Sequence, residues 1–271
     1  MTTFSRPGVY VQENLGQQQN ITPVNDADAV AVFVGALAKG PTTPTTVSSW
    51  GQFTTTFGNL DYTLPTSVAV YQFFANGGRS AYILRVTKSG VGTASTTLTD
   101  NTSAATLTVN AISPGSWPVT AGISVEALAY GSSRFSLVVY GNPSVLNGDP
   151  RSNILEQFTD LSVDPTDPRY AQAVVNAGSR YINVIDLPTS TLSPNPAGLI
   201  PLTGSSLDGT GSITPSIINS ALSVLDSYSD SLILNAPDAA YFNSTDWAST
   251  YVNLLTYAAG RSDAFVVMDT L

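Results

Sequence analysis

Apolar residues along this chain change their repeat at a few points, and each change marks an element. The clearest switch lies between Val68 and Val86. After a turn and N-cap at Leu64-Pro65-Thr66, Val70, Phe73 and Phe74 recur at the spacing of one helix face. Asn76-Gly77 supplies a left-handed stop. From Ala81 the repeat becomes two, with Tyr82, Leu84 and Val86 on one side and Ala81, Ile83 and Arg85 on the other. A helix that folds back through glycine into a strand is half of an α/β layer. Upstream, Ala29 to Val34 is an unbroken apolar run, as expected of a strand buried on both faces. Gly35 to Pro41 leaves it as a loop, and Val47 to Phe57 places Trp50, Phe53 and Phe57 on one helical face before Gly58-Asn59. Strand, helix, helix, strand is the order of an α/β core.

The pattern changes at Thr87. As far as about Tyr140 the chain is rich in Thr, Ser and Gly, with short alternating runs at Ala105 to Ala111, Gly122 to Ala127 and Phe135 to Tyr140. Turn residues separate these runs, which predicts an antiparallel β-sandwich or barrel inserted into the first domain. Asn153 to Phe158 extends it. Asp167-Pro168 predicts a helix start, running through Val174 and Val175 to Gly178, with Tyr181 to Ile185 as the next strand. Pro188 to Gly211 reads as a loop returning to the first domain. There Thr214-Pro215 starts a helix with Ile218, Ala221, Leu222 and Leu225 inward, followed by a strand at Ser231 to Leu234. Thr245 or Asp246 is the expected cap of a second helix, striped by Trp247, Tyr251, Leu254, Leu255 and Ala258 and closed by Gly260. Ala264 to Met268 is the strand after it. Strand, helix, strand on short connections implies a parallel crossover. Such a crossover ordinarily has a successor, which raises the expectation of a fragment, or of a subunit whose remainder lies elsewhere. The predicted organisation is a mostly parallel α/β core over 29–88 and 190–271, a β-rich insert over 89–189, and an extended arm over 1–28.

Composition narrows the functions open to this fold. The 271 residues are 42% hydrophobic with mean hydropathy +0.11, as in a globular protein. The longest apolar run is too short to span a bilayer, and no basic, apolar leader opens the chain, so a soluble protein is expected. Ten basic residues face 19 acidic ones, a net charge of −9. Without Lys/Arg clusters, nucleic acid and anionic membranes are poor partners. The chain has neither cysteine nor histidine, so it can form no disulfide, no thiolate site and no Ser-His-Asp triad.

Catalysis would have to rest on carboxylates, Lys or Tyr. Asp186, Asp238 and Asp269 each follow an expected strand and could gather at the carboxyl edge of a sheet, to bind Mg²⁺ or do acid/base work. Helix caps and turns use Asp in the same places, and that reading is preferred because no Lys, Arg or Gly-rich motif accompanies the three. Asp160, Asp164 and Asp167 lack the glycine and final Glu of a calcium loop. Gly204 and Gly209 have the spacing that opens a P-loop, but Thr210-Gly211 stands where the Lys-Ser/Thr pair would be. The Thr/Ser-rich insert allows a carbohydrate-binding or adhesive platform, for which Tyr130 and Tyr140 are thin support. We therefore expect a protein that is not an enzyme, with no cofactor and no metal.

At the amino end, Pro7-Gly8-Val9-Tyr10-Val11-Gln12-Glu13 alternates for one short strand, followed by a polar, Gln-rich stretch. Alone it would leave its backbone unpaired, so it either frays or adds to another sheet's edge, and edge addition is favoured. Several stretches resemble one family. Trp50-Gly51-Gln52-Phe53 with Phe57-Gly58, then Phe73-Phe74-Ala75-Asn76-Gly77-Gly78-Arg79 and Ala81 to Val86 with Arg85, are similar to the N-terminal half of contractile tail sheath proteins. The Pro-Gly-Val-Tyr-Val arm resembles that family's N-terminal arm. Ser113-Pro114-Gly115-Ser116-Trp117 resembles its Pro-Gly-Ser/Thr-Trp-Gly-Asn signature, with Pro118 in place of glycine. Leu202 to Asp208-Gly209 resembles its Leu-x-Gly-Gly-x-Asp-Gly turn, with Ser205 in place of a glycine and one residue more. The resemblance implies a subtilisin-like α/β sheath core. It also implies copies stacked in rings, by analogy hexameric, around a tail tube, with contraction driving the tube through a cell envelope. The implied partners are other copies, the tube, baseplate and terminator proteins. The implied location is a phage tail assembled in the host cytoplasm, or a bacterial contractile injection system.

Overall fold

The computed structural model of the chain describes residues 29–131, 133–142, 150–204 and 213–270. The first part runs β1 (Ala29–Gly35), β2 (Thr45–Val47), α1 (Trp50–Phe57), α2 (Pro65–Ala75) and β3 (Ala81–Arg85). Next come β4 (Ser95–Thr99), β5 (Ala105–Ala111), the single turn α3 (Trp117–Thr120), β6 (Ser124–Tyr130), β7 (Arg134–Tyr140) and β8 (Ile154–Leu161). After α4 (Ala171–Gly178), β9 (Ile182–Asp186) and β10 (Ile200–Pro201), the chain ends its described path in α5 (Pro215–Leu222), β11 (Ser231–Asn235), α6 (Ser244–Arg261) and β12 (Ala264–Val266).

The outer parts of the chain make one sheet, ordered β12-β11-β1-β3-β2, in which every pairing is parallel except β2 with β3. β1 lies at its centre because its apolar run serves both faces. Val32 and Val34 join Leu84, Leu232, Leu234, Ile218 and Tyr251 under α5 and α6. Phe33 joins Ile83, Phe53, Phe57 and Val70 under α1 and α2. Helices on both faces of a parallel sheet are what such a sheet requires. Fully burying a side chain like Phe53 or Phe57 contributes about 2 to 3 kcal/mol.

Between β3 and α5 the pairing is antiparallel. β4-β5-β9 form one sheet and β10-β6-β7-β8 another, and both bury a single apolar core that includes Leu107, Val109, Val125, Phe135, Leu137, Leu161 and Ile182. Trp117 and the α4 residues Ala171 and Val175 join the same core. The molecule is thus a mixed α/β protein with a parallel and two antiparallel sheets.

Several local expectations are corrected. β2 and β4 were not legible as strands, being short and threonine-rich. The return segment is not all loop. Ile200 pairs with Val125 of β6, and Thr203 bridges Ser95, so a boundary at residue 190 falls inside chain that is still paired with the antiparallel sheets. Asp167-Pro168 does not start α4. That helix begins at Ala171 after Tyr170, and Asp167 instead accepts the Arg169 amide and pairs with Arg134 at 2.6 Å. Asn243, not Thr245 or Asp246, caps α6, because its side chain accepts both of those amides. The helix passes Gly260 and stops at Ser262, which adopts the left-handed conformation. Leu255, expected on the inner stripe, is exposed.

Candidate functional site

The motif aromatics converge on one face of the parallel sheet. Trp50 stacks on Phe53 at 5.0 Å and meets Tyr71 edge-on at 5.1 Å, while Phe73 meets Phe33 at 5.5 Å and Phe74 at 5.2 Å. Edge and offset contacts of this kind add to what burial alone gives. Gly58 and Gly77 end the two helices at positive φ, +106° and +92°. Asn76 bonds back to the Gln72 carbonyl at 2.8 Å, and Gly78 leaves room for the Phe73 ring, which a Cβ there would strike. Arg79 follows on the surface, exposed. The arm residues Pro7 to Glu13, together with Asp208 and Gly209, lie outside the described residues.

Strand order reverses between β1 and β11, and the crevice beyond the carboxyl ends of strands at such a reversal is where α/β proteins receive ligands. Here the chain's own carboxylate enters it. Asp238, in the 3₁₀ turn Pro237–Tyr241 after β11, accepts the Ala36 amide at 2.5 Å and the Thr66 hydroxyl at 2.8 Å. Thr66 sits in the first turn of α2, whose N-cap, Leu64, has no capping side chain. An anion at a helix N-terminus satisfies free amides and the helix dipole. Asp238 does this from a point 172 residues away. Burial pushes its carboxyl above the usual range, against the pull of those hydrogen bonds. Gly35 is required beside it, since a Cβ would collide with Thr66 Oγ1 and crowd the carboxylate.

The other two carboxylates do not join it. Asp186 lies in β9 of the antiparallel sheets, accepting from Tyr170 at 3.0 Å, and Asp269 accepts weakly from Asn235 at 3.4 Å. Among the described residues no three Asp or Glu side chains approach as metal ligands would. Asp164 and Asp167 serve as turn caps, holding the amides of Thr166 and Arg169 at 2.8 and 2.7 Å. The aromatic platform also fails. Tyr130 is exposed, but Tyr140 is buried with its hydroxyl donating to Glu126 at 3.1 Å.

The two regions meet at Arg85, the last residue of β3 and one of the largest fully buried side chains, 1% exposed. Its guanidinium donates to the carbonyls of Leu37 at 3.0 Å, Gly40 at 2.9 Å and Pro114 at 3.1 Å. Leu37 and Gly40 leave β1, whereas Pro114 belongs to the turn before Trp117. That turn answers in kind: Gly40 donates its amide to Ser113 Oγ at 3.1 Å, and the Trp117 indole donates to the Ser113 carbonyl at 3.0 Å. Lys39 lies over Trp117 and Tyr181, 5.9 and 5.5 Å from their ring centres, with its pKa lowered by burial. Sequence reasoning singled out Arg85 and the Ser113 to Trp117 turn but not Lys39. The only signal for Lys39 was a lone charge in an apolar run.

Together these features define a class, a doubly wound α/β layer clasped to a pair of antiparallel sheets, with its ligand crevice filled from within. Two solved structures that share this fold are sheath tail proteins. One, from Listeria innocua, matches with a TM-score of 0.53 at 13% identity, over 87% of this chain and 45% of its own. Another, from Desulfitobacterium hafniense, matches with a TM-score of 0.55 at 11% identity, over 97% of this chain and 53% of its own. This chain therefore spans about half the length of the solved structures it matches. No family model and no curated protein matches the sequence.

Proposed function

We propose that this chain is a structural subunit of a contractile tail sheath. The observation that carries the proposal is a fold shared with two sheath tail proteins along 87% and 97% of the chain. On this reading the parallel layer is the subtilisin-like core and residues 89–203 are an inserted domain. Residues 1–28, with Pro7 to Glu13 at their centre, link one copy to the next by strand addition. Copies stack as rings on a tube, and the lattice shortens by repacking rigid bodies between two arrangements, so contraction is a bistability of interfaces. Tube, baseplate and terminator proteins are the partners, and a phage tail the setting. The filled crevice and the dispersed Asp186, Asp238 and Asp269 give the enzyme reading no support.

Electron microscopy of the purified full-length protein tests this. Tubes or stacked rings are expected, and uniform small particles would overturn the proposal. Deleting residues 1–13 should leave circular dichroism unchanged but abolish polymerisation, and sheaths of normal length from the deleted protein would refute the linking role.

A further inference from the structure

The three-stranded antiparallel sheet, ordered β4-β5-β9, has two outer strands, and they are closed by different means. Along β4, backbone meets backbone. Ser95 and Thr203 exchange amide and carbonyl at 2.8 and 3.1 Å, and Asn195 donates its amide to the Thr99 carbonyl at 2.8 Å. On the outer side of β9 lies a helix, α4, instead of a strand. β9 reads Ile-Asn-Val-Ile-Asp, and its Ile185 is 49% exposed. An apolar strand at the edge of a sheet is a template for pairing with another chain.

Side chains of α4 stand where that other chain would pair. The Ile182 amide donates to Ser179 Oγ, which follows the helix, at 3.0 Å. The Val184 amide donates to Asn176 Oδ1 at 2.6 Å, and Asn176 Nδ2 donates back to the Val184 carbonyl at 2.9 Å. The Asp186 amide donates to Gln172 Oε1 at 2.8 Å. Spacing explains the match. Outward amides on a strand recur every second residue, about 6.8 Å apart, and helix positions four apart differ in height by about 6 Å. Gln172 and Asn176 therefore fall opposite Asp186 and Val184, in reverse order because the chain turns back after α4. Glu156 of β8 fixes the end of the helix, accepting from the Ser179 hydroxyl and from the Arg180 amide. Asn176 offers one donor and one acceptor to a single residue, as an opposing residue does in a hydrogen-bonded antiparallel pair.

We propose that α4 is a guard on β9, occupying a strand-pairing edge that would otherwise take β9 of a second copy of the chain. The geometry of the edge selects that occupant. Val184 turns both its amide and its carbonyl outward, so two copies related by a two-fold axis at Val184 exchange both bonds. In that register Ile182 faces Asp186 of the second copy and Asn183 faces Ile185, so no like charges oppose each other. Asn176 is itself exposed, which lets a second strand reach the edge once its carboxamide is removed. The guard thus keeps copies that assemble elsewhere on their surface from fusing through this sheet. The inference concerns the antiparallel region and stands whether or not the protein builds a tube.

The chain has no cysteine, so a disulfide can report the register. Full-length chains carrying Asn183→Cys are mixed with full-length chains carrying Ile185→Cys, with the guard intact or removed by Gln172→Ala and Asn176→Ala together. Positions 183 and 185 then face each other in a non-hydrogen-bonded pair, where side chains lie closest and a disulfide fits. Mixed dimers are expected to form at least about tenfold faster without the guard. Equal rates would overturn the proposal, as would faster dimers of the Asn183→Cys chain with itself, which report another register. Should the doubly substituted helix fail to fold, Asn176→Ala alone decides, in dilute solution and without cysteine. Its Val184 amide should exchange at least about tenfold faster than in the parent chain while the far-UV circular dichroism is kept, and unchanged exchange would overturn the guard.

Discussion

Two sets of charged residues, one in each region, are held in different ways. In the parallel layer, Asp238 meets backbone and hydroxyl donors, and Arg85 donates to backbone carbonyls. In the antiparallel sheets Asp100 also meets amide and hydroxyl donors, but Glu126 of β6 takes Arg151 at 2.6 Å, and Arg134 of β7 takes Asp167 at 2.6 Å and Asp160 at 3.2 Å, charge against charge. Topology accounts for the difference. Parallel strands leave the sheet at the same end, into loops and helix starts with unpaired amides and carbonyls, and a buried charge there works as a cap. Antiparallel strands return through turns and satisfy their own ladders, so their charges are free to pair across strands.

The largest effect is expected where the regions join. Arg85→Ala would strand three carbonyls and leave a cavity beneath the turn at Pro114, costing about 3 to 5 kcal/mol. Urea unfolding followed through Trp117 fluorescence measures this directly, and Arg85→Lys should recover only part, since one ammonium cannot reach three carbonyls. A loss below about 1 kcal/mol would show that the clasp holds nothing.

Asp238 and Glu126 give the next pair, and their pH dependence separates the regions. Asp238→Ala strands the Ala36 amide and the Thr66 hydroxyl, costing about 2 to 3 kcal/mol. Because burial raises the Asp238 pKa, its contribution is full below the ordinary carboxylate value and is lost as pH rises through the folded value. The deficit of the variant should therefore shrink as pH rises above the ordinary carboxylate value. Glu126 runs the other way. Its pKa is lowered, first by the Arg151 hydrogen bond, with help from Tyr140, so its contribution is present above the ordinary value and lost as pH falls through the folded one. Glu126→Gln should cost about 1 to 2 kcal/mol near neutrality, less than a fully buried pair because Arg151 is half exposed, and the gap should close in acid. Profiles of the same slope would refute the contrast.

These residues also mark how far the sequence could be read. β1 was legible as an unbroken apolar run, and α1, α2 and β3 because large side chains such as Phe53, Phe57, Phe73 and Ile83 recur at a regular spacing. β4 was not, since Leu98 alone of its five residues is buried, and β10 was not, since two residues carry no period. Asp238 was seen as a carboxylate after a strand, which is where it lies. Its task depends on Thr66 and Ala36, far off in the chain, and no local pattern records that pairing. The two charged pairs in the antiparallel sheets were missed for the same reason.

The smallest effect concerns a cap within the parallel layer, where local chemistry alone decides. Ser, Thr, Asp and Asn all favour an N-cap, and Asn243, Ser244, Thr245 and Asp246 offer four candidates in a row. The structure selects Asn243, which is extended at φ −65° and ψ 164° and accepts the amides of Thr245 and Asp246, both at 3.0 Å. Its side-chain amide Nδ2 donates to Asp246 Oδ2 at 2.7 Å, and Asp246 in the first turn also complements the helix dipole. Asn243→Ala should therefore cost about 1 kcal/mol and Thr245→Ala only a few tenths, read as shifts in thermal midpoint at neutral pH. Equal losses would mean that the helix frays past its first residue. Trp247 would then lose the bond that its indole donates to the Asp269 carbonyl at 2.9 Å, and its fluorescence would report the fraying.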